Sequence, residues 1–206
     1  MKKIRVLIVD DHFMARMGLS VPINGEHDMM VIAEARNGAQ ALELYRLHQP
    51  DVVTMDCMMT DKSGIETTRE ILAEFPEARI LMLSGLEGEE DIFRAVDAGA
   101  CGYLTKAAER DVVLSAIRQV DAGQTAFPAA VAVKLAARQQ REPLTERELN
   151  ILGLIVQGRS NKEIVTELHM SGGLVKKEIS SLLAKLGAAD RTRAATLAIE
   201  RGIVHL

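Results

Sequence analysis

The sequence predicts an α/β domain followed by an all-α domain. The first, over residues 1–122, is a doubly wound parallel five-stranded sheet. The second, over residues 144–206, is a set of four helices containing a helix-turn-helix. Three observations carry this reading. Short apolar runs alternate with helix-length stretches five times before residue 122, as in βαβ units built on a parallel sheet. Those runs are apolar almost throughout, which fits strands covered on both faces. From Leu144 on, strand patterning stops and helix caps with helical spacing take over.

The elements follow in order. Ile4–Val9 is a strand ending in Asp10-Asp11. A helix is expected near His12–Val21, broken by Pro22. A short strand falls near Met30–Ala35, and Asn37-Gly38 opens a helix carrying Ala41, Leu42, Leu44 and Tyr45. The run from Asp51 is a buried strand stopping at Asp56. Gly64–Phe75 is a helix, and Arg79–Leu83 is a strand ending in Ser84. Residues 87–98 form a helix around Ile92 and Val96. Cys101–Thr105 is the last strand, ending in Lys106, and Glu109–Ala122 the fifth helix. Residues 123–143 read as a linker, partly helical, because Pro128 can start a helix over Ala129–Ala137.

Thr145-Glu146-Arg147-Glu148 is a capping box, followed by Leu149, Leu152 and Val156. Ser160-Asn161-Lys162-Glu163 is a second one. His169-Met170 is a turn, Ser171 a cap, and the next helix runs to Leu186, closed by Gly187. Val175, Ile179, Leu182 and Leu186 share one face of it; Lys176, Lys177, Ser180 and Ser181 fall on the other. Arg191–Arg201 is the last helix. Two short helices joined by a tight turn make the helix-turn-helix.

Composition bounds the function. No apolar run reaches membrane-span length, and Met1-Lys2-Lys3 leads into a strand too short for a signal-peptide core. A cytoplasmic protein is expected, with Cys57 and Cys101 reduced. The net charge of −4 is uneven: −8 over residues 1–125 and +4 over 126–206. The basic half makes nucleic acid a candidate partner.

Ligands of parallel sheets bind at the strands' C-terminal ends. Asp10, Asp11, Asp56, Ser84 and Lys106 stand at four such ends. One acid would be an ordinary polar strand end, but five groups converging define a site. Clustered carboxylates repel unless a cation neutralises them. Mg²⁺ takes oxygen ligands and is commonly shared with phosphate. A carboxylate can attack phosphorus to form an acyl phosphate, and the metal, Lys106 and Ser84 would steady the phosphoryl oxygens.

These residues, with Tyr103 three before the lysine, resemble the receiver domain of two-component response regulators. The resemblance implies a flavodoxin-like fold and phosphorylation of Asp56 by a sensor histidine kinase. It also implies Mg²⁺ at Asp11, Asp56 and the Met58 backbone carbonyl, with Asp10 close by. Ser84 and Tyr103 would move toward the phosphoryl group and re-shape the 84–105 surface. Two positions depart from the pattern: Thr60 stands where the family usually has proline, and Ala107 follows the lysine. Met58 and Leu86 would flank the hydrolytic water without orienting it, which implies slow loss of the phosphoryl group.

Leu144–Glu148, Gly158–Ile164 and Lys185-Leu186-Gly187 with Arg191-Thr192 resemble the DNA-binding domain of LuxR/NarL-type regulators. A basic outer helix face fits the major groove. The DNA-facing set is Ser160, Asn161, Lys162, Lys176, Lys177, Ser180 and Ser181, on double-stranded promoter DNA, with a homodimer forming on activation. The recognition helix departs where the family usually has Thr-Val-Lys-x-His: here it reads Leu174-Val175-Lys176-Lys177-Glu178, and Glu178 would repel a phosphate. Gly172-Gly173 weakens its first turn.

The expectation is a phosphorylation-switched transcription regulator, not an enzyme beyond slow hydrolysis of its own phosphoryl group. The alternative is a phosphorylatable interaction module whose output domain acts through protein partners. A phosphatase of the haloacid-dehalogenase type is remote, because Met58 stands where a second Asp would serve as acid.

Overall fold

The structure, a computed structural model, describes residues 2–85 and 88–205. The chain forms two compact units. One comprises Met1–Glu87 and Ile92–Ala132, the other Gly88–Asp91 and Val133–Leu206.

The first unit holds β1 (Ile4–Val9), α1 (Phe13–Gly25), β2 (Met29–Ala35), α2 (Gly38–His48), β3 (Val52–Asp56) and α3 (Gly64–Glu74), then β4 (Ile80–Ser84), most of α4 (Glu89–Asp97), β5 (Gly102–Thr105) and α5 (Arg110–Asp121). The sheet is parallel, in the order β2-β1-β3-β4-β5. This is the flavodoxin-like order, and it reverses between β1 and β3, where such sheets open a crevice. β3 and β4 are buried along their whole length, as strands between two helical layers must be. Val6, Ile8, Leu81 and Leu83 pack with Ile23 of α1 and Ile117 of α5 in one core cluster.

Local chemistry sets the helix starts. Asn37 caps α2 by accepting from the Gln40 N–H, and Ser63 with Glu66 forms a full capping box on α3. At the far end of the sheet, Arg118 on α5 donates to Asp28 and Glu26, and its guanidinium lowers the Asp28 carboxyl to about 2.

Pro22 does not break α1 as expected. The helix continues to Gly25 with Pro22 inside it. Proline costs the i−4 hydrogen bond, but the next residue, Ile23, is fully buried in the core, and packing outweighs the lost bond. The expected helix over 87–98 is described from Glu89; its first positions, like Leu86, lie outside the described residues. After α5 the chain adds a contact that patterning did not reveal, a parallel bridge of Ala126 to Gly102.

The helix α6 (Ala129–Gln139) follows; its last residues, from Val133, belong to the second unit. That unit goes on to α7 (Glu146–Val156), α8 (Asn161–Glu167), α9 (Gly172–Leu186) and α10 (Arg191–Glu200). Ile151, Leu152, Ile164, Val175, Leu182 and Ala194 form its core. Both capping boxes are present. His169 turns the chain at φ 51°, Ser171 caps α9 on the Leu174 N–H, and Gly187 closes it at φ 66°. α8, the turn and α9 are the helix-turn-helix.

Candidate functional site

The crevice between β1 and β3 brings the acids together. Asp56 is the last residue of β3, and Asp10 follows β1. Both are 2% exposed. Lys106, just past β5, reaches between them: its Nζ lies 2.7 Å from Asp10 Oδ2 and 2.8 Å from Asp56 Oδ2. Its backbone N–H donates to the Ser84 carbonyl at 2.8 Å, which holds the β4 and β5 ends together. Burial would lower the lysine's pKa, but the two carboxylates outweigh it and the ammonium is held above its ordinary value. Burial raises the Asp56 carboxyl, and Lys106 and the Met58 N–H only partly offset it. One ammonium therefore leaves a negative site short of positive charge.

The remaining contacts orient the carboxylates. The His12 N–H donates to Asp10 Oδ1 at 2.8 Å, and the Met58 N–H to Asp56 Oδ1 at 3.1 Å. The Thr60 N–H donates to Asp11 Oδ2 at 3.1 Å. A proline at position 60 could not make that bond, so the departure from the family pattern adds a donor to the site. Arg16 on α1 donates to the Asp10 carbonyl at 2.8 Å. Patterning along the chain does not mark Thr60, Arg16 or His12 as site residues. His12 is the one with a legible signal, being next to Asp11.

Asp10, Asp11, His12 and Asp56 each offer a ligand atom, all within 4.8 Å of one another. Asp11 Oδ1 and Asp56 Oδ2 are buried, faced at 2.8 Å by the His12 imidazole and the Lys106 ammonium respectively, which leaves carboxylate lone pairs open. Hard oxygen donors with unsatisfied lone pairs fit Mg²⁺. Ser84, the last residue of β4, and Tyr103, within β5, are buried, 0% and 1% exposed. The Met58 side chain is half exposed.

In the second unit, Lys162, Lys176 and Lys177 are exposed. Ser160 Oγ accepts from the Glu163 N–H, Asn161 Oδ1 accepts from Arg191, and the Ser180 hydroxyl donates to the Lys176 carbonyl. Ser181 turns inward: its hydroxyl donates to Glu148 Oε1 at 2.6 Å. Glu148, 1% exposed, also accepts from Lys185 Nζ at 2.9 Å and from the Thr145 N–H at 2.7 Å. Burial would raise its pKa, but Ser181, Thr145 and Lys185 pull it down to about 2. One buried carboxylate thus pins α9 to the start of α7.

A sheet that gathers acids and a lysine around one strand-end aspartate, joined to a helix-turn-helix, defines a receiver with a DNA-binding output domain. Residues 6–118 match the response regulator receiver domain, and residues 142–198 match the bacterial regulatory proteins of the luxR family. The chain belongs to the two-component response regulators with a LuxR-type output domain. The response regulator protein VraR of Staphylococcus aureus (strain Mu3 / ATCC 700698) is 35% identical over 207 residues, covering 98% of this chain and 99% of that protein. The crystal structure of ChrA, the response regulator of a heme-sensing two-component system, is 32% identical at a TM-score of 0.58, covering 99% of this chain and 100% of that one. A structure of RcsB dimers bound to DNA superposes at a TM-score of 0.72 with 20% identity, over 97% of this chain and 99% of that one. At that identity the likeness is one of fold. Among the described residues, no helix is long and apolar enough to cross a membrane.

Proposed function

We propose that Asp56 accepts a phosphoryl group from a sensor histidine kinase and that the acyl phosphate switches the output domain on promoter DNA. The observation that carries this is Lys106 Nζ, within 2.8 Å of carboxylate oxygens on both Asp10 and Asp56. The arrangement leaves the Asp56 carboxylate as nucleophile and an ammonium beside it for the phosphoryl oxygens. Mg²⁺, held by Asp11, Asp56 and the Met58 backbone carbonyl with Asp10 close by, would neutralise charge on the transferring group. Ser84 and Tyr103 sense the modified aspartate. Receiver 1–122, linker 123–143 and output domain 144–206 form the functional division.

On DNA, Lys162, Lys176 and Lys177 supply charge to phosphates and base edges, with Ser160, Asn161 and Ser180 around them; Ser181, expected on this face, is instead drawn inward by its hydrogen bond to the buried Glu148 carboxylate. Activated chains bind as homodimers; the solved RcsB complex, in which dimers of that protein sit on DNA, supports this reading. The protein works in the cytoplasm and is a regulator rather than an enzyme. Slow loss of its own phosphoryl group is its only turnover.

Acetyl phosphate with Mg²⁺ should label the chain on a Phos-tag gel, shift it toward dimers by light scattering and tighten its binding to promoter fragments. An Asp56→Asn variant that responds equally would overturn the proposal.

A further inference from the structure

The loop after Asp56 serves acids from two different strands. The Met58 N–H donates to Asp56 Oδ1 at 3.1 Å, and two residues later the Thr60 N–H donates to Asp11 Oδ2 at 3.1 Å. Asp11 lies forty-nine positions away along the chain, just past the end of β1. The loop is anchored where it meets α3. The Gly64 N–H donates to the Cys57 carbonyl at 3.0 Å, and Ser63 with Glu66 forms the capping box. Thr60 is thus presented to Asp11 from a tethered segment.

Only the backbone of Thr60 enters the site, because its side chain is exposed. The N–H is the one group that proline, the usual residue at this position in the family, lacks. The bond has a clear consequence for Asp11. Its Oδ1 is buried and faces the His12 imidazole at 2.8 Å. With Oδ2 held by Thr60, the plane of the carboxylate is fixed. Asp11 then stays in the group whose ligand atoms lie within 4.8 Å of one another. A free carboxylate would be pushed out of that group by the neighbouring acids. Hydrogen bonds to a ligating carboxylate orient it in this way and raise metal affinity.

We infer that Thr60, through its backbone N–H, is a positioning residue that holds Asp11 ready for the divalent ion. The departure from proline gives this chain a fixed second oxygen on an acid that the family pattern leaves without that donor. This rests on the reading of the acidic crevice as the Mg²⁺ site.

The test is calorimetric titration of the full chain with Mg²⁺, for wild type, Thr60→Ala and Thr60→Pro, and for Thr60→Pro in an Asp11→Ala background. Labelling by acetyl phosphate is followed against Mg²⁺ concentration beside it. Thr60→Ala keeps the N–H, and Thr60→Pro deletes it. Thr60→Ala should stay within about twofold of wild type, and Thr60→Pro should lose roughly tenfold or more in Mg²⁺ affinity, the scale of outer-sphere changes. Half-maximal labelling should then need correspondingly more Mg²⁺, with the rate at saturating Mg²⁺ little changed. In the Asp11→Ala background the change to proline should cost less than about twofold, since the partner of the N–H is gone. Amide exchange gives a second measurement that does not need Thr60→Pro to fold: the Thr60 N–H should be protected in wild type and lose that protection in Asp11→Ala. Wild-type Mg²⁺ affinity in Thr60→Pro, an equal loss in both backgrounds, or an unprotected Thr60 amide would remove the role of Thr60 and leave the Mg²⁺ site standing. If the wild type binds no Mg²⁺, the magnesium reading falls and this inference falls with it.

Discussion

Gly64, the first residue of α3, packs its α-carbon directly against the backbone carbonyl of Asp56. A Cβ there would collide with that oxygen. The Gly64 N–H also donates to the Cys57 carbonyl at 3.0 Å. The helix after the phosphoacceptor strand can begin this close only because its first residue has no side chain.

Gly64→Ala should therefore move the Asp56 strand end. Overpacking of this kind costs about 1–3 kcal/mol. Urea unfolding should show the loss, and labelling by acetyl phosphate should slow. Unchanged unfolding and labelling would mean that the loop absorbs the methyl group at no cost.

The raised pKa of Asp56 makes its charge a burden on the fold at neutral pH. A carboxyl that is harder to ionise when folded stabilises most below its unfolded value of 3.8, and that stability is lost as pH rises through the folded value. Asp56→Asn mimics the neutral form. It should unfold at higher urea than wild type at pH 7, with the gap closing toward pH 4. Matched midpoints at pH 7 would refute the claim.

Glu148 has the opposite sign. Its carboxyl is held at about 2 against an ordinary 4.5. Its stability is present above pH 4.5 and is lost as pH falls from there toward 2. Glu148→Ala leaves Lys185 and Ser181 without their shared partner and should cost the output domain about 2–4 kcal/mol at pH 7. Thermal unfolding at pH 7 and pH 3 measures both points, and the penalty should shrink at the lower pH.

The first turn of α9 is weaker than it needs to be. Nothing lies within 4 Å of a Cβ added at Gly172 or Gly173, so each Gly→Ala change should stabilise the domain by about 0.5–1 kcal/mol. Glu178→His removes a negative charge from the recognition helix and should tighten binding to genomic fragments in low-salt gel shifts. No binding by either form would favour a protein-directed output.

The Met58 side chain is half exposed beside the phosphoacceptor and cannot orient water. Met58→Asn with Leu86→Glu should shorten the life of the phosphoryl group, followed by time on Phos-tag gels. Equal or slower decay would discard slow hydrolysis as a property of these two positions.

Much of this protein is legible as a string. Strand runs ending in Asp10, Asp56, Ser84 and Lys106 place the reacting groups at one sheet edge, because parallel strands with helical crossovers all end on the same side. Three of the helix caps, at Thr145, Ser160 and Ser171, are readable for a local reason: a cap spans three residues. Pro22 misleads because helix breaking is a local cost, whereas the burial of Ile23 that outweighs it is decided elsewhere.

Periodicity alone determines which faces are apolar and which element each acid terminates. Rotamers and long-range neighbours are left to the tertiary structure. It turns Ser181 inward onto Glu148, thirty-three positions away along the chain, and sets Lys106 between two carboxylates from different strands. It gives the Asp11 carboxylate a Thr60 N–H and an imidazole. Those choices depend on where a side chain finds charge and space, and neither is written in spacing along one strand or helix.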